Sequence, residues 1–347
     1  MQEVYYQANK IATSTSTGVA AVKAFSDDNS DRSYAIIGTG ALGGLCGARL
    51  QKAGLKVHFL LNRDYHHVRQ HGLVIESPGG DFKLFHVQAY SSQRLPEMPR
   101  CDVVVIALKT TQNNWLQCRL PDLLKPDGVV LVLQNGLGME ADIARLVGSD
   151  RVIGGICFIC STKVAPGHIR HVDYDLITLA NYAPDYQAVG ISDRARQIGS
   201  EFEQAGFLVS LTEDLLLARW QKLVCNIPFN GLSVVLSATT SQIMADPYAR
   251  NLVEQIMQEV VAIAATQGCN IPPDYIQKRL HYIAQIQSFR TSMKMDYDAR
   301  QPMEIEAMIG NPLRVAQKAG ILVPQIAMLY QQLKFLDVYD RIAALAG

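Results

Sequence analysis

From Tyr34 onward, short runs of β-branched and aliphatic residues alternate with longer stretches of helical periodicity, the pattern of a parallel sheet with crossover helices. "YAIIG" reads as a strand, "ALGGLCGARLQKAG" as a helix and "KVHFLL" as a second strand, with further strands at "CDVVVIAL" and "GVVLVLQ". "RVIGGICFICSTKV", "GHIRHV" and "DLITLANY" follow too closely for crossovers and read as an antiparallel extension, and "FLVSL" closes this half. After about Glu213 the strand pattern stops. Leu252, Ile256, Val260 and Ile263 mark one helix, and "PQIAMLYQQLKFLDVYDRIAALAG" supplies another. The expected fold class is α/β: a doubly wound sheet over residues 34–212, then an all-helical domain over 213–347.

Length and charge narrow the classes of function. A chain of 347 residues holds roughly two domains. Lys+Arg 32 against Asp+Glu 32 leaves no field to draw it to nucleic acid or an anionic membrane, so small neutral or acidic metabolites suit it better. Seven cysteines without framework spacing read as reduced thiols of a cytoplasmic protein. No apolar run reaches the ~18 residues of a membrane span. Residues 1–33 are rich in Ser, Thr, Ala and Asn and lack the apolar core of a secretory signal. Glu3, Asp27, Asp28 and Asp31 do not suit a transit peptide, so a disordered extension is expected there.

In "IIGTGALGG", Gly38-x-Gly40-x-x-Gly43 follows a strand and opens a helix. The three glycines suit a tight turn, close approach of backbone to a pyrophosphate, and close helix–strand packing. Gly38, Thr39, Gly40, Ala41, Leu42 and Gly43 are therefore the expected dinucleotide loop of a Rossmann-type domain. An NAD-selective site normally puts a carboxylate at the end of the second strand. Here Asn62 and Arg63 occupy that place, and an arginine suits a 2′-phosphate, which favours NADP(H). Asp64, the next residue, weakens this inference; the alternative is that it pairs with Arg63 and does nothing for the cofactor. Lys109 and Asn135 end later strands on the same carboxyl edge. Cys157 and Cys160 point to opposite faces of a strand, and His66, His67 and His71 read as a charged helix face, so no metal is predicted.

"WQKLVCNIPFN" places Lys222, Asn226 and Asn230 four residues apart in an otherwise apolar helix, along nearly one line. Two readings stay open: a polar stripe lining a cleft, or a helix emerging at a domain edge with Lys222 wet. Pro228 removes the hydrogen bond to the Val224 carbonyl and tends to kink the axis.

Taken together, these markers resemble the ketopantoate reductase family from about Tyr34 to the C-terminus. They are "GTGALGG", Lys109, "QNG" at Gln134 to Gly136, the Lys222 stripe and "TSMKMDYDARQPMEIEAMIGNP". The resemblance implies that NADPH reduces the ketone of a 2-keto acid, ketopantoate, in pantothenate synthesis. It implies Lys222 as proton donor and Glu304 close to the reacting groups. Asn226, Asn230 and Ser292 would contact substrate, Asn135 both nicotinamide and substrate, and Lys109 the cofactor. The chemistry agrees, because hydride addition builds an alkoxide that requires a proton and a positive neighbour. Two positions depart from the family pattern. Thr240 stands near where an Asn-Gly is common, and Met303 replaces a usual threonine. They motivate an alternative, reduction of a different 2-keto acid. A non-catalytic NADPH-binding sensor is a third reading, against which Lys222 and Glu304 both argue. The stripe Leu329, Leu333 and Leu336 fits a homodimer interface or an intramolecular core equally well.

Overall fold

The computed structural model describes residues 32–285 and 290–346. The extension expected over 1–33 lies outside that range except for Arg32 and Ser33. Ser33 already belongs to the first strand, one residue ahead of the expected domain start. The chain divides into two compact units, one made of 32–134 and 139–215, the other of 135–138 and 216–346.

The first unit is built on one sheet. Its strands are β1 (Ser33–Ile37), β2 (Lys56–Leu61), β3 (Leu73–Glu76), β4 (Phe82–Leu84), β5 (Gln88–Ser91), β6 (Cys101–Ile106), β7 (Leu124–Val132), β8 (Val152–Ala165), β9 (His168–Asn181) and β10 (Leu208–Leu211). They run in the order β4-β3-β9-β8-β7-β6-β1-β2-β5, with β10 also on β9. The stretch β8-β7-β6-β1-β2-β5 is parallel throughout. Such strands are covered on both faces, and β1 and β6 accordingly read as near-continuous apolar runs with almost every residue buried. Helix α1 (Ala41–Lys52) joins β1 to β2, α2 (Tyr65–His71) follows β2, α3 (Met139–Val147) follows β7, and α4 (Asp193–Gln204) precedes β10.

The antiparallel extension differs in detail from the expectation. "GHIRHV" and "DLITLANY" form a single strand, β9, paired antiparallel with β8 across a register shift around Phe158–Ser161. Tyr174 interrupts it with φ 62°, an uncommon conformation for a bulky residue. On one side of that break β9 pairs with β3 and on the other with β10, in parallel both times.

The second unit contains only helices and turns among its described residues. They are α5 (Leu215–Val235, whose first residue closes the sheet unit), α6 (Thr240–Ala245), α7 (Pro247–Thr266), α8 (Tyr275–Gln285), α9 (Ser292–Asp298), a π-turn (Glu306–Gly310), α10 (Asn311–Lys318) and α11 (Pro324–Ala346). Trp220, Leu223, Val224 and Ile227 of α5 are buried in its core with Val253, Ile256, Val260 and Ile263 of α7. Each such side chain contributes about 1.5–3 kcal/mol on burial. Leu329 and Leu333 are fully buried in this core and Leu336 packs against it, so intramolecular packing accounts for that stripe. Pro228 sits inside α5, which runs through it from Leu215 to Val235 as one helix.

Candidate active site

In the sheet unit the strand order reverses at β1, which has β2 on one side and β6 on the other. Open α/β sheets bind ligands outside the carboxyl ends of the strands at such a switch point. Gly38 to Gly43 leave β1 there. Gly38 has φ +97°, and a Cβ on it would lie 2.3 Å from the Leu108 nitrogen. Only glycine lets the loop after β1 pass so close to the loop after β6. A Cβ on Gly43 would stand 2.3 Å from the Gly38 carbonyl oxygen. Gly40 is different, because a Cβ there would meet nothing within 4 Å. Open space thus adjoins the start of α1, where Ala41 and Leu42 form the first turn. That turn has no acidic residue and no side-chain cap, so its N–H groups and dipole suit an anion such as a pyrophosphate. The Thr39 hydroxyl donates to the Leu60 carbonyl at 2.9 Å and ties the loop to the end of β2.

Arg63 and Asn62, just past β2, are exposed, whereas Asp64 is buried. The Asp64 carboxylate accepts the Gly167 N–H at 2.9 Å and pairs with Lys163 Nζ at 2.5 Å. Its charge is thus engaged by the end of β8 and the turn that follows it. Lys109 lies beyond the end of β6, which stops at Ile106, and immediately precedes the 3-10 turn Thr110–Trp115 without a side-chain capping bond. Buried Gln134 donates from Nε2 to the Leu108 carbonyl at 2.8 Å and to Asn113 Oδ1 at 2.6 Å, bracing that loop. Sequence reasoning treated Gln134 only as a family marker. Cys157 and Cys160 are free thiols. Among the described residues there is no group of three or more His, Cys, Asp or Glu side chains placed to hold a metal ion.

In the helical unit Lys222 is buried, and its ammonium donates to Asn135 Oδ1 at 2.6 Å. A buried ammonium is costly without such partners, and a charge-assisted bond offsets part of that cost. Asn226 is half-buried and Asn230 buried. Asn230 Nδ2 donates to the Asn226 carbonyl at 3.0 Å, while its Oδ1 accepts Ser292 Oγ at 3.3 Å and the Met293 N–H at 3.2 Å. Asn230 therefore braces the start of α9 and the Ser292 hydroxyl. Ser233 and Thr291 were missed in the sequence. Ser233 Oγ donates to the Asn230 carbonyl at 3.0 Å and lies 2.7 Å from Thr291 Oγ1, which caps α9 by accepting the Lys294 N–H at 3.2 Å. The available signal was that Ser233 continues the Lys222 stripe by one more helical step.

Glu304 is buried just ahead of the π-turn. Thr240 is buried at the first position of α6. Met303 lies in the apolar core of the helical unit, which removes it from the polar stripe. Burial pushes the Cys225 thiol above its ordinary range and the Tyr275 phenol up to about 12. The Cys225 thiol of α5 and the Tyr275 phenol of α8, which donates to the Gln221 carbonyl at 3.0 Å, thus stay neutral at ordinary pH.

Residues 34–184 match the family profile described as ketopantoate reductase PanE/ApbA, and residues 214–337 match its C-terminal counterpart. A 2-dehydropantoate 2-reductase from Nostoc sp. is 56% identical over 315 residues, covering 91% of this chain and 98% of the relative. The crystal structure of 2-dehydropantoate 2-reductase from Geobacter metallireducens superposes with a TM-score of 0.83 at 38% identity, covering 87% of this chain and 99% of that one. D-mandelate dehydrogenase, solved with NADH and anilino(oxo)acetate, shares the fold at a TM-score of 0.81 and 20% identity, over 89% and 99% of the two chains. With both profiles matched in order across most of its length, the chain belongs to the ketopantoate reductase family.

Proposed function

We propose that this protein reduces 2-dehydropantoate (ketopantoate) to pantoate with NADPH, a step of pantothenate and coenzyme A synthesis, and does so in the cytoplasm. The observation that carries this reading is the Nostoc reductase, 56% identical across almost the whole of both chains. In this reading residues 34–212 hold the dinucleotide and 213–347 hold the substrate. The dinucleotide, when bound, supplies the hydride.

The chain's own residues do the rest. Gly38 to Gly43 and the N-terminus of α1 cradle the pyrophosphate, and Lys109 lies beside the cofactor. Arg63 takes the 2′-phosphate. The burial of Asp64 against Lys163 and Gly167 favours NADPH over NADH, since its carboxylate is engaged away from a ribose 2′-hydroxyl. Lys222 delivers its Nζ proton to the ketone oxygen as negative charge develops there. Asn135 fixes that ammonium, Asn226, Asn230 and Ser292 orient the 2-keto acid, and Glu304 adds a carboxylate close to the reacting groups. A second reading, reduction of a different 2-keto acid, is favoured by buried Thr240, which departs from the amide that the family resemblance implies near that position.

The test is loss of NADPH absorbance with ketopantoate, for the wild type and for Lys222→Ala, with NADH and a panel of 2-keto acids in parallel. Turnover should fall about 10²–10⁴-fold in the variant while NADPH still binds. A wild type that binds NADPH and ignores ketopantoate, yet reduces another 2-keto acid, would replace the first reading by the second.

A further inference from the structure

Asn135 to Gly138 cluster with the helical unit, and what holds them there is an irregularity in a helix. The Asn311 N–H bonds to the Glu306 carbonyl, one residue further back than in an α-helix. The Ala307 carbonyl thereby loses its α-helical donor. The next candidate, Pro312, has no N–H to give. That carbonyl instead accepts the Leu137 N–H at 2.9 Å. Gly136 permits the approach, because a Cβ there would stand 2.4 Å from the Ala307 oxygen.

Asn311 grips the other side of the same residue. Its Nδ2 donates to the Leu137 carbonyl at 2.5 Å, and its Oδ1 accepts Arg314 Nη2 at 2.5 Å. The second bond settles which way the amide faces. Arg314 is held in turn by Glu306 Oε2 at 2.9 Å, and Glu306 Oε1 accepts Tyr330 Oη at 2.8 Å and Lys334 Nζ at 3.0 Å. Leu137 is thus fixed through both backbone groups, close along the chain to the Asn135 that receives the Lys222 ammonium.

We propose that Asn311, with the π-turn that precedes it, is a positioning residue for proton delivery, fixing Asn135 and through it the Lys222 ammonium. The inference rests on Lys222 as the proton donor of the reading above. A purely structural Asn311 would change stability alone. A positioning one changes turnover and its dependence on pH, because an ammonium that loses an acceptor gives up its proton more readily.

Asn311→Asp is nearly isosteric and keeps a partner for Arg314, but offers a carboxylate where Leu137 requires a donor. In the full-length chain it should lower kcat about tenfold, with KM and NADPH affinity nearly unchanged. The alkaline limb of its pH–rate profile should move to lower pH, as in Asn135→Ala. The double variant should be no slower than Asn135→Ala alone, since the two act in series. Wild-type kcat and pH limb in both Asn311→Asp and Asn311→Ala, or losses that multiply in the double variant, would overturn the proposal. A second measurement does not depend on activity. Amide hydrogen exchange at Leu137 should rise about tenfold in Asn311→Asp, and unchanged protection would also overturn it. A wild type without ketopantoate turnover, or a fully active Lys222→Ala, would refute the functional reading, and exchange at Leu137 would still decide whether Asn311 holds the segment.

Discussion

Arg63 and Asp64 are neighbours in sequence with opposite fates. One is exposed beyond β2; the other is buried against Lys163 and the Gly167 N–H. Arg63→Ala should weaken NADPH binding about 10–100-fold and leave NADH binding nearly unchanged, because one charge-assisted contact to phosphate is worth about 1.5–3 kcal/mol. Asp64→Asn should act on stability rather than on cofactor choice. It should lower the melting temperature by removing a buried carboxylate's bonds, at a cost of about 1–3 kcal/mol, while the NADPH to NADH preference stays as it is. Dissociation constants for both dinucleotides, with thermal melts, separate the two. An Asp64→Asn protein with its cofactor preference reversed would contradict the division. In the sequence this point stayed open because the group that claims Asp64 comes from a turn about a hundred residues further on.

Elements with strong periodicity were legible. The strand, glycine loop, helix and second strand of β1, α1 and β2, the switch to helices near Glu213 and the Lys222 stripe all follow from local pattern. Less legible was anything fixed by pairing between distant segments. β9 was read as two short runs because the break at Tyr174 interrupts its alternation, and no local signal says that β3 and β10 share it as a partner. The π-turn has no periodicity of its own; with hindsight, Pro312 and the glycine at 136 are its traces. Its Glu306 side chain carries a testable pH dependence. Burial raises its carboxyl, but the bonds from Lys334, Tyr330 and Arg314 outweigh that and hold it below the ordinary carboxylate value. A carboxyl depressed in the folded state adds stability that is present above its unfolded value and is lost as the pH falls through the folded one. The wild type should therefore melt higher than Glu306→Gln at neutral pH, and the gap should close in acid below the ordinary carboxylate range. A gap that does not change with pH would mean that the charge on Glu306 contributes nothing.

At the scale of the whole chain, the family match begins at residue 34, yet the packing begins slightly earlier. Arg32 Nε pairs with Glu201 Oε1 at 2.9 Å, and the buried Glu201 carboxylate also takes the Tyr34 hydroxyl. Ser33 accounts for two bonds to Asp102, from its N–H and its hydroxyl, each 2.8 Å. Burial and the Glu201 charge together push the Tyr34 phenol well above its usual value, so Tyr34 stays a neutral donor, and Arg32 brings a positive charge to the carboxylate. Two truncations probe where the functional unit starts. A chain beginning at Arg32 should keep both turnover and melting temperature, because it retains the bonds of Arg32 and Tyr34 to Glu201 and those of Ser33 to Asp102. A chain beginning at Tyr34 follows the family boundary but strips Arg32 from a carboxylate that remains buried. Losing a charged bond of this kind costs about 1.5–3 kcal/mol, a fall of several degrees, while kcat on the folded fraction should hold, since both residues lie at the amino end of β1, opposite the carboxyl end from which the glycine loop leaves, and neither belongs to the helical unit. Equal melting of the two truncations would show that Arg32 and Ser33 add no stability, and loss of turnover in the first would show that residues before 32 take part in function.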